Sequence, residues 1–157
     1  MEVWTDSHWG LWGLFLSSFV SATLAPGGSE LVLVYLLGEG EEPDWLLWLV
    51  ATSGNTIGGL SSWVVGFLVS HGYWSPEKVL AAEKNQKVLA FLNRWGVSAL
   101  LLSWMPVVGD LLCLLAGWLK LSVSASIAAM FAGKGARYAV VIYLQSWIGG
   151  VMIDTIG

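Results

Sequence analysis

Two apolar stretches of this chain are each broken by a proline that is followed, four residues on, by a carboxylate: Pro26-Gly27-Gly28-Ser29-Glu30 and Pro106-Val107-Val108-Gly109-Asp110. Proline removes a backbone donor and ends or kinks a helix, and an acid in an apolar run is costly unless something partners it. Whatever this chain folds into must solvate two backbone gaps and two acids inside apolar surroundings.

The composition says what those surroundings are. Of 157 residues, 56% are hydrophobic and 11% charged, whereas soluble domains carry about 25% charge. A soluble chain of this size leaves roughly a third of its surface exposed and could not hide so much apolar area. The reading is therefore a single small membrane domain over residues 1–157. The first residues, MEVWTDSHWG, contain no Lys or Arg, which does not fit a secretory signal, so the whole chain is taken as mature. Cys113 is alone, which rules out a disulfide framework and a thiolate metal site.

Four apolar blocks follow one another, at about 9–38, 45–70, 95–118 and 121–151. Block 45–70 would form about 39 Å of helix, enough for a ~30 Å hydrocarbon layer, and block 121–151 is also long enough. The first and third blocks are the interrupted ones. Their arms after the break have only about eight or nine residues, some 12–14 Å, too short to cross alone. Non-helical backbone at membrane depth persists only where protein or water covers it, so these blocks read as re-entrant hairpins or broken helices.

The halves also match. Pro26 pairs with Pro106 and Glu30 with Asp110 at an offset of 80, and Gly38 with Gly117 and Gly54 with Gly133 at 79. A near-constant offset close to half the length indicates an internal repeat, here residues 9–70 and 95–151. If each broken block re-enters and leaves on its own side, each repeat crosses once and the second copy is inverted. Inverted repeats with matched breaks are a plan of secondary transporters, with the site where the breaks meet.

Charge tests that topology. One side then holds Lys78, Lys84, Lys87, Arg94 and Lys120, while the other holds no Lys or Arg and seven acids. The positive side, with residues 71–94, is expected to be cytoplasmic. If the breaks were full crossings, Lys120 would join the acidic loop, a poorer fit. Within 75–94, Ser75 and Pro76 resemble a helix start, and Val88, Phe91, Leu92 and the adjoining Trp95 share a face. This predicts an amphipathic linker helix on the membrane surface, or else a solvated one. Trp9, Trp12, Trp45, Trp48, Trp74, Trp95, Trp118 and Trp147 lie near block ends, as an interfacial belt would.

Four charges fall inside the blocks: Glu30, Asp110, Lys134 and Arg137. Each costs about 2.5–3.5 kcal/mol at the centre of a span, so they must be partnered. Lys134, Arg137 and Tyr138 occupy one helical face, and the expectation is that both acids meet that face across a small hydrated cavity. The alternative is a salt-bridge cluster that only closes the bundle. Asn55, which matches Lys134, could line the same site. Gly54 and Gly58, and Ala129 with Gly133, are spaced for close helix crossing. His8 and His71 lack ligand-spaced partners, so no metal is expected. No nucleotide fingerprint, nucleophile with a base, or nucleic-acid patch appears, so neither an enzyme, a cofactor nor a nucleic-acid partner is expected.

Taken together, SSFVSATLAPGGSELVLVYLLG, ATSGNTIGGLSSWVVG, RWGVSALLLSWMPVVGDLLCLLAGWLKLS and GKGARY resemble the short YqaA-type branch of the DedA superfamily, also called the VTT or SNARE-associated Golgi protein family. The resemblance implies a bacterial inner-membrane protein with two re-entrant hairpins in an inverted repeat. It also implies a part in envelope homeostasis and in moving lipids between leaflets, dependent on the proton gradient. Functional positions of that family fall on Glu30 and Arg137. The wider family's arginines flanking the second proline are replaced here by Ser103 and Gly109.

The expected fold is thus all-α and membrane-integral, an inverted repeat of re-entrant hairpin plus transmembrane helix with a central linker helix. The expected function is translocation of a phospholipid or polyprenyl phosphate, with protons and membrane lipids as partners and a homodimer as one form. A proton-coupled transporter for a small solute and a non-transporting scaffold are the alternatives.

Overall fold

A computed structural model of the chain describes residues 3–22, 27–73, 83–105 and 108–156, with side chains within 9–22, 27–71, 86–105 and 108–148. Every regular element among them is helical: α1 (Val3–Ser21), α2 (Gly28–Glu39), α3 (Asp44–Leu68), α4 (Glu83–Trp95), α5 (Val108–Trp118) and α6 (Val123–Ile156). A π-helical turn, Val69–Tyr73, follows α3, and a 3₁₀ stretch, Gly96–Trp104, precedes α5.

Local chemistry accounts for several of the boundaries. Gly27, at φ 105°, occupies a conformation that side chains oppose and turns the chain into α2. Gly40 ends α2 in the left-handed region, its N–H donating to the Leu36 carbonyl. Pro43 is extended and Asp44 opens α3, where a carboxylate complements the helix dipole. At the end of α5 the Lys120 N–H donates to Gly117 and the Leu121 N–H to Ala116. This is a Schellman closure with lysine, at φ 56°, where glycine is usual.

α3 is the centre of the packing, covered by α1, α5 and α6, while the 3₁₀ stretch lies along α6 and α5. Lipid gives helices no hydrophobic reason to associate, so close backbone approach does the work. Side chains in place of Gly54 and Gly58 would strike the Phe15 and Phe19 carbonyls of α1. Gly66 and Gly117 bring α3 and α5 together in the same way, and Gly133 seats α6 on the Leu101 carbonyl. Two apolar clusters fill the gaps. One joins Leu14, Leu33, Leu47, Ala51 and Tyr138, and the other centres on Leu100, Leu112, Leu115 and Met130. The outer face keeps Trp9, Leu31, Trp45, Tyr143 and Trp147 more than half exposed, as a lipid-facing surface requires.

Several expectations change. α2 and α5 have 12 and 11 residues, longer than the eight or nine foreseen, yet at about 16–18 Å still short of a bilayer. Gly28 begins α2 and Gly109 lies in the first turn of α5, tight against the Ser103 carbonyl, so neither belongs to a break. Pro26 and Pro106 fall outside the described residues, as do Ser75 and Pro76. The α4 face does not lie free on a surface, because Leu92 is buried and Val88, Leu89 and Phe91 pack on the second cluster. By length and apolarity alone, Val123–Ile148 of α6 qualifies as a span among the described residues. α3 is as long as a span, but its middle is Gly, Ser, Thr and Asn, which lowers its hydropathy.

Candidate functional site

Four buried polar side chains, Ser29, Asn55, Lys134 and Tyr138, meet where α2, α3 and α6 come together. Lys134 on α6 is 2% exposed. It donates to the Asn55 carbonyl at 2.8 Å and to the Asn55 side-chain oxygen Oδ1. Asn55 in turn donates through Nδ2 to the Tyr138 hydroxyl at 2.8 Å, and that hydroxyl also shares a hydrogen bond with Ser29 Oγ at 2.8 Å. One continuous chain, Lys134-Asn55-Tyr138-Ser29, therefore links three helices, and its last member sits one residue before Glu30.

Glu30 closes the circuit. Its Oε1 accepts from Arg137 Nε and pairs with Nη2 of the same guanidinium. Arg137 Nη1 reaches the Trp104 carbonyl at 3.3 Å, tying α6 to the end of the 3₁₀ stretch. The pair is partly exposed, 17% for Arg137 and 24% for Glu30, where the Lys134 chain is fully enclosed. Because Lys134, Arg137 and Tyr138 are three and four residues apart, one face of α6 presents all three.

Asp110 stands differently. It is half-buried on α5 and within electrostatic range of Lys134 and Arg137, yet among the described residues the only ion pair is that of Arg137 with Glu30. The expectation that both acids pair with the basic face thus holds geometrically for Glu30, while Asp110 is near without contact. The charge pattern of the sequence offered no reason for the difference; in the fold, two of the three Lys134 N–H donors go to Asn55.

Sequence reasoning overlooked Ser29, Ser18 and Thr52. Ser29 had a signal, its place between the helix break and the acid. Ser18 and Thr52 had only the oddity of hydroxyls in apolar runs. The hydroxyls of Ser18, Thr52 and Ser103 are buried without a hydrogen-bond partner among the described residues. Buried hydroxyls are normally satisfied, so these leave acceptors and donors for water or a ligand. No group of three metal-ligating side chains occurs among the described residues.

The arrangement provides one guanidinium partly open to the outside, one enclosed ammonium, one acid in an ion pair and one near the basic face without contact. It suits binding of an anionic group and movement of a proton.

Comparison with known proteins gives consistent relatives. The inner membrane protein YqaA of Escherichia coli (strain K12) is 47% identical over 131 residues, covering 83% of this chain and 87% of its own. The same figures hold for the inner membrane protein YqaA of Shigella flexneri. An uncharacterized protein of Haemophilus influenzae is 41% identical over 143 residues and 85% of each chain. No family model matches, and no solved structure does.

Proposed function

The chain belongs to the family of the inner membrane protein YqaA, and on that premise we propose that it moves a phosphate-bearing lipid, a phospholipid or polyprenyl phosphate, between the leaflets of the inner membrane. The observation that carries this reading is the polar circuit just described: Arg137 and Lys134 held by Glu30 and Asn55 inside an apolar protein, with part of the guanidinium still exposed. Charges are kept at such depth when they serve a pathway, and arginine's planar fork matches phosphate.

In this proposal Glu30 holds two of the guanidinium donors while the site is empty, and an arriving phosphate takes the remaining ones and competes for those on Glu30. Protonation of Glu30 would release Arg137, which couples lipid entry to the proton gradient. Asp110, which has no ion-pair partner among the described residues, serves as a second proton station, and Lys134 and Tyr138 support the charge of the head group. The architecture that suits this is the DedA-type plan: two inverted repeats, the arms α1–α2 and the 3₁₀ stretch with α5 re-entering from opposite sides, and the lysine-rich 71–94 segment cytoplasmic. The matched contacts of Gly54 with Phe15 and Gly133 with Leu101 support it. A homodimer would supply the walls that a chain this small lacks.

The test is reconstitution in liposomes with a leaflet reporter such as a dithionite-quenched fluorescent phospholipid. Lipid redistribution should exceed that of empty vesicles and fall in Glu30→Gln and Arg137→Ala. Redistribution that is unchanged in both folded variants would end the lipid reading, and solute-driven proton uptake without lipid movement would replace it with the transporter one.

A further inference from the structure

Beside the polar circuit, a groove of about 340 Å³ lies between Trp104 and the α6 face formed by Ala136, Arg137, Val140 and Val141. Its walls are almost wholly apolar, and its single charged residue is Arg137. Above it on α6, Val140, Tyr143, Leu144 and Trp147 are 49–69% exposed. Their spacing of three and four residues makes one continuous stripe along the helix. Arg137 is the fifteenth residue of the 26-residue span Val123–Ile148. At 1.5 Å per residue it sits about 21 Å from one end and 16 Å from the other, near mid-depth.

The guanidinium has donors to spare at that place. Of its five N–H groups, Nε and one on Nη2 go to Glu30 and one on Nη1 goes to the Trp104 carbonyl. The other two have no partner among the described residues, and Trp104 and Arg137 both line the groove. The matching place in the first half is shut. Position 58 corresponds to 137 at the offset of 79 (137 − 58 = 79). There Gly58 lies so tightly under α1 that a Cβ would come within 2.6 Å of the Phe19 carbonyl and the Ala22 Cβ.

We infer that the Trp104–Val140 groove is a lateral portal that admits a phosphate-bearing lipid from the leaflet on the C-terminal side of α6, its phosphate at Arg137 and one tail along Val140, Leu144 and Trp147. The inference rests on the lipid reading above and adds the route, the tail path and the leaflet. Charge complementarity selects the occupant. The ester carbonyls of a neutral lipid take the unspent donors only weakly, whereas a phosphate oxygen makes charge-assisted bonds to them in the apolar setting where such bonds are strongest. Openness on the α6 side and closure at Gly58 make the portal one-sided in this conformation.

The experiment uses the full chain in phosphatidylglycerol and phosphatidylethanolamine liposomes containing phosphatidylglycerol with a photoactivatable diazirine tail, with labelled peptides mapped by mass spectrometry. Label should concentrate on Trp104 and on 140–147 relative to the equally lipid-facing Trp12 and Leu16. It should fall roughly tenfold in Arg137→Gln, the worth of about one charge-assisted hydrogen bond. Val140→Trp, a surface change that fills the groove without touching the polar circuit, should give a comparable loss. A diazirine diacylglycerol, which lacks the phosphate, should label the exposed helices evenly. Even labelling by the phosphate lipid, or labelling indifferent to both substitutions, overturns the portal. The leaflet reporter run on the same vesicles separates the two ideas: concentrated labelling without redistribution would keep the portal as a lipid-binding site and sink the transport reading.

Discussion

Asn55→Ala tests whether the enclosed circuit, rather than apolar packing, fixes α6 against α3. The substitution removes Oδ1, which accepts from Lys134, and Nδ2, which donates to Tyr138; it leaves the backbone carbonyl that Lys134 also uses at 2.8 Å. On the soluble scale a hydrogen bond to a charged group contributes about 1.5–3 kcal/mol. Between helices in a membrane the measured average is nearer ~0.6 and the maximum ~1.7, because the separated helices find other partners. Lys134 is 2% exposed and cannot reach water without moving, which puts its bond at the upper end. The expected loss for Asn55→Ala is therefore about 2 kcal/mol, roughly 1.5 from the lysine bond and 0.6 from the tyrosine one. Lys134→Met should cost about 1 kcal/mol by stranding Oδ1. The double variant should cost about 1–1.5 kcal/mol less than the sum, since one interaction is being removed twice. Unfolding by sodium dodecyl sulfate in mixed micelles, followed by the fluorescence of the 11 tryptophans, measures all four corners. Additivity within ~0.3 kcal/mol would refute the coupling and with it the circuit as a structural unit.

Two further outcomes follow from backbone contacts. Gly117→Ala drives a methyl into the Trp63 carbonyl and should destabilise by about 2–3 kcal/mol in the same unfolding assay, as overpacking does. Gly38, which matches it in sequence at the offset of 79, has open space around it, so Gly38→Ala should stabilise by about 0.5–1 kcal/mol through helix propensity alone; equal effects at the two positions would refute the packing argument. Lys120→Gly relieves a left-handed lysine and should stabilise by about 1 kcal/mol, and a loss instead would mean that the lysine charge holds that turn.

Much of this was readable in the residues because membrane chemistry punishes polar groups selectively. The acid of the first break and the arginine of the last block had to find partners, and in the structure Glu30 and Arg137 find each other. Glycines at 54 and 133, matched by position, receive the Phe15 and Leu101 carbonyls in the same manner. The 3₁₀ stretch was invisible. GVSALLLSW has no polar residue placed to reveal a period, and its three consecutive leucines suit a helix of 3.0 or 3.6 residues per turn equally. The place of Asp110 was also beyond the sequence, since nothing in the residue order says that Lys134 spends its donors on Asn55. α4 was misjudged for a related reason: an amphipathic face looks the same whether protein or membrane covers it.

The two halves differ where the charges are concentrated, and the difference bears on any exchange between them. Asn55 and Lys134 correspond at the offset of 79 and touch each other. Under the proposed two-fold relation of the halves, residues that correspond and touch would straddle the axis, which would put the buried ammonium near it. The same relation turns Glu30 into Asp110 and Arg137 into Gly58. Under that proposed relation an arginine at 58 would be the counterpart of Arg137, but the tight contact of Gly58 with Phe19 leaves no room for a side chain there. One acid is consequently clamped and the other is left to the longer-range field of Lys134 and Arg137. The two acids cannot then be interchangeable. Removing the charge of Glu30 strands a guanidinium, a severe change at depth, whereas removing that of Asp110 breaks no ion pair among the described residues. A mechanism that assigns both acids the same task must explain why, among the described residues, one of them has an ion-pair partner and the other does not.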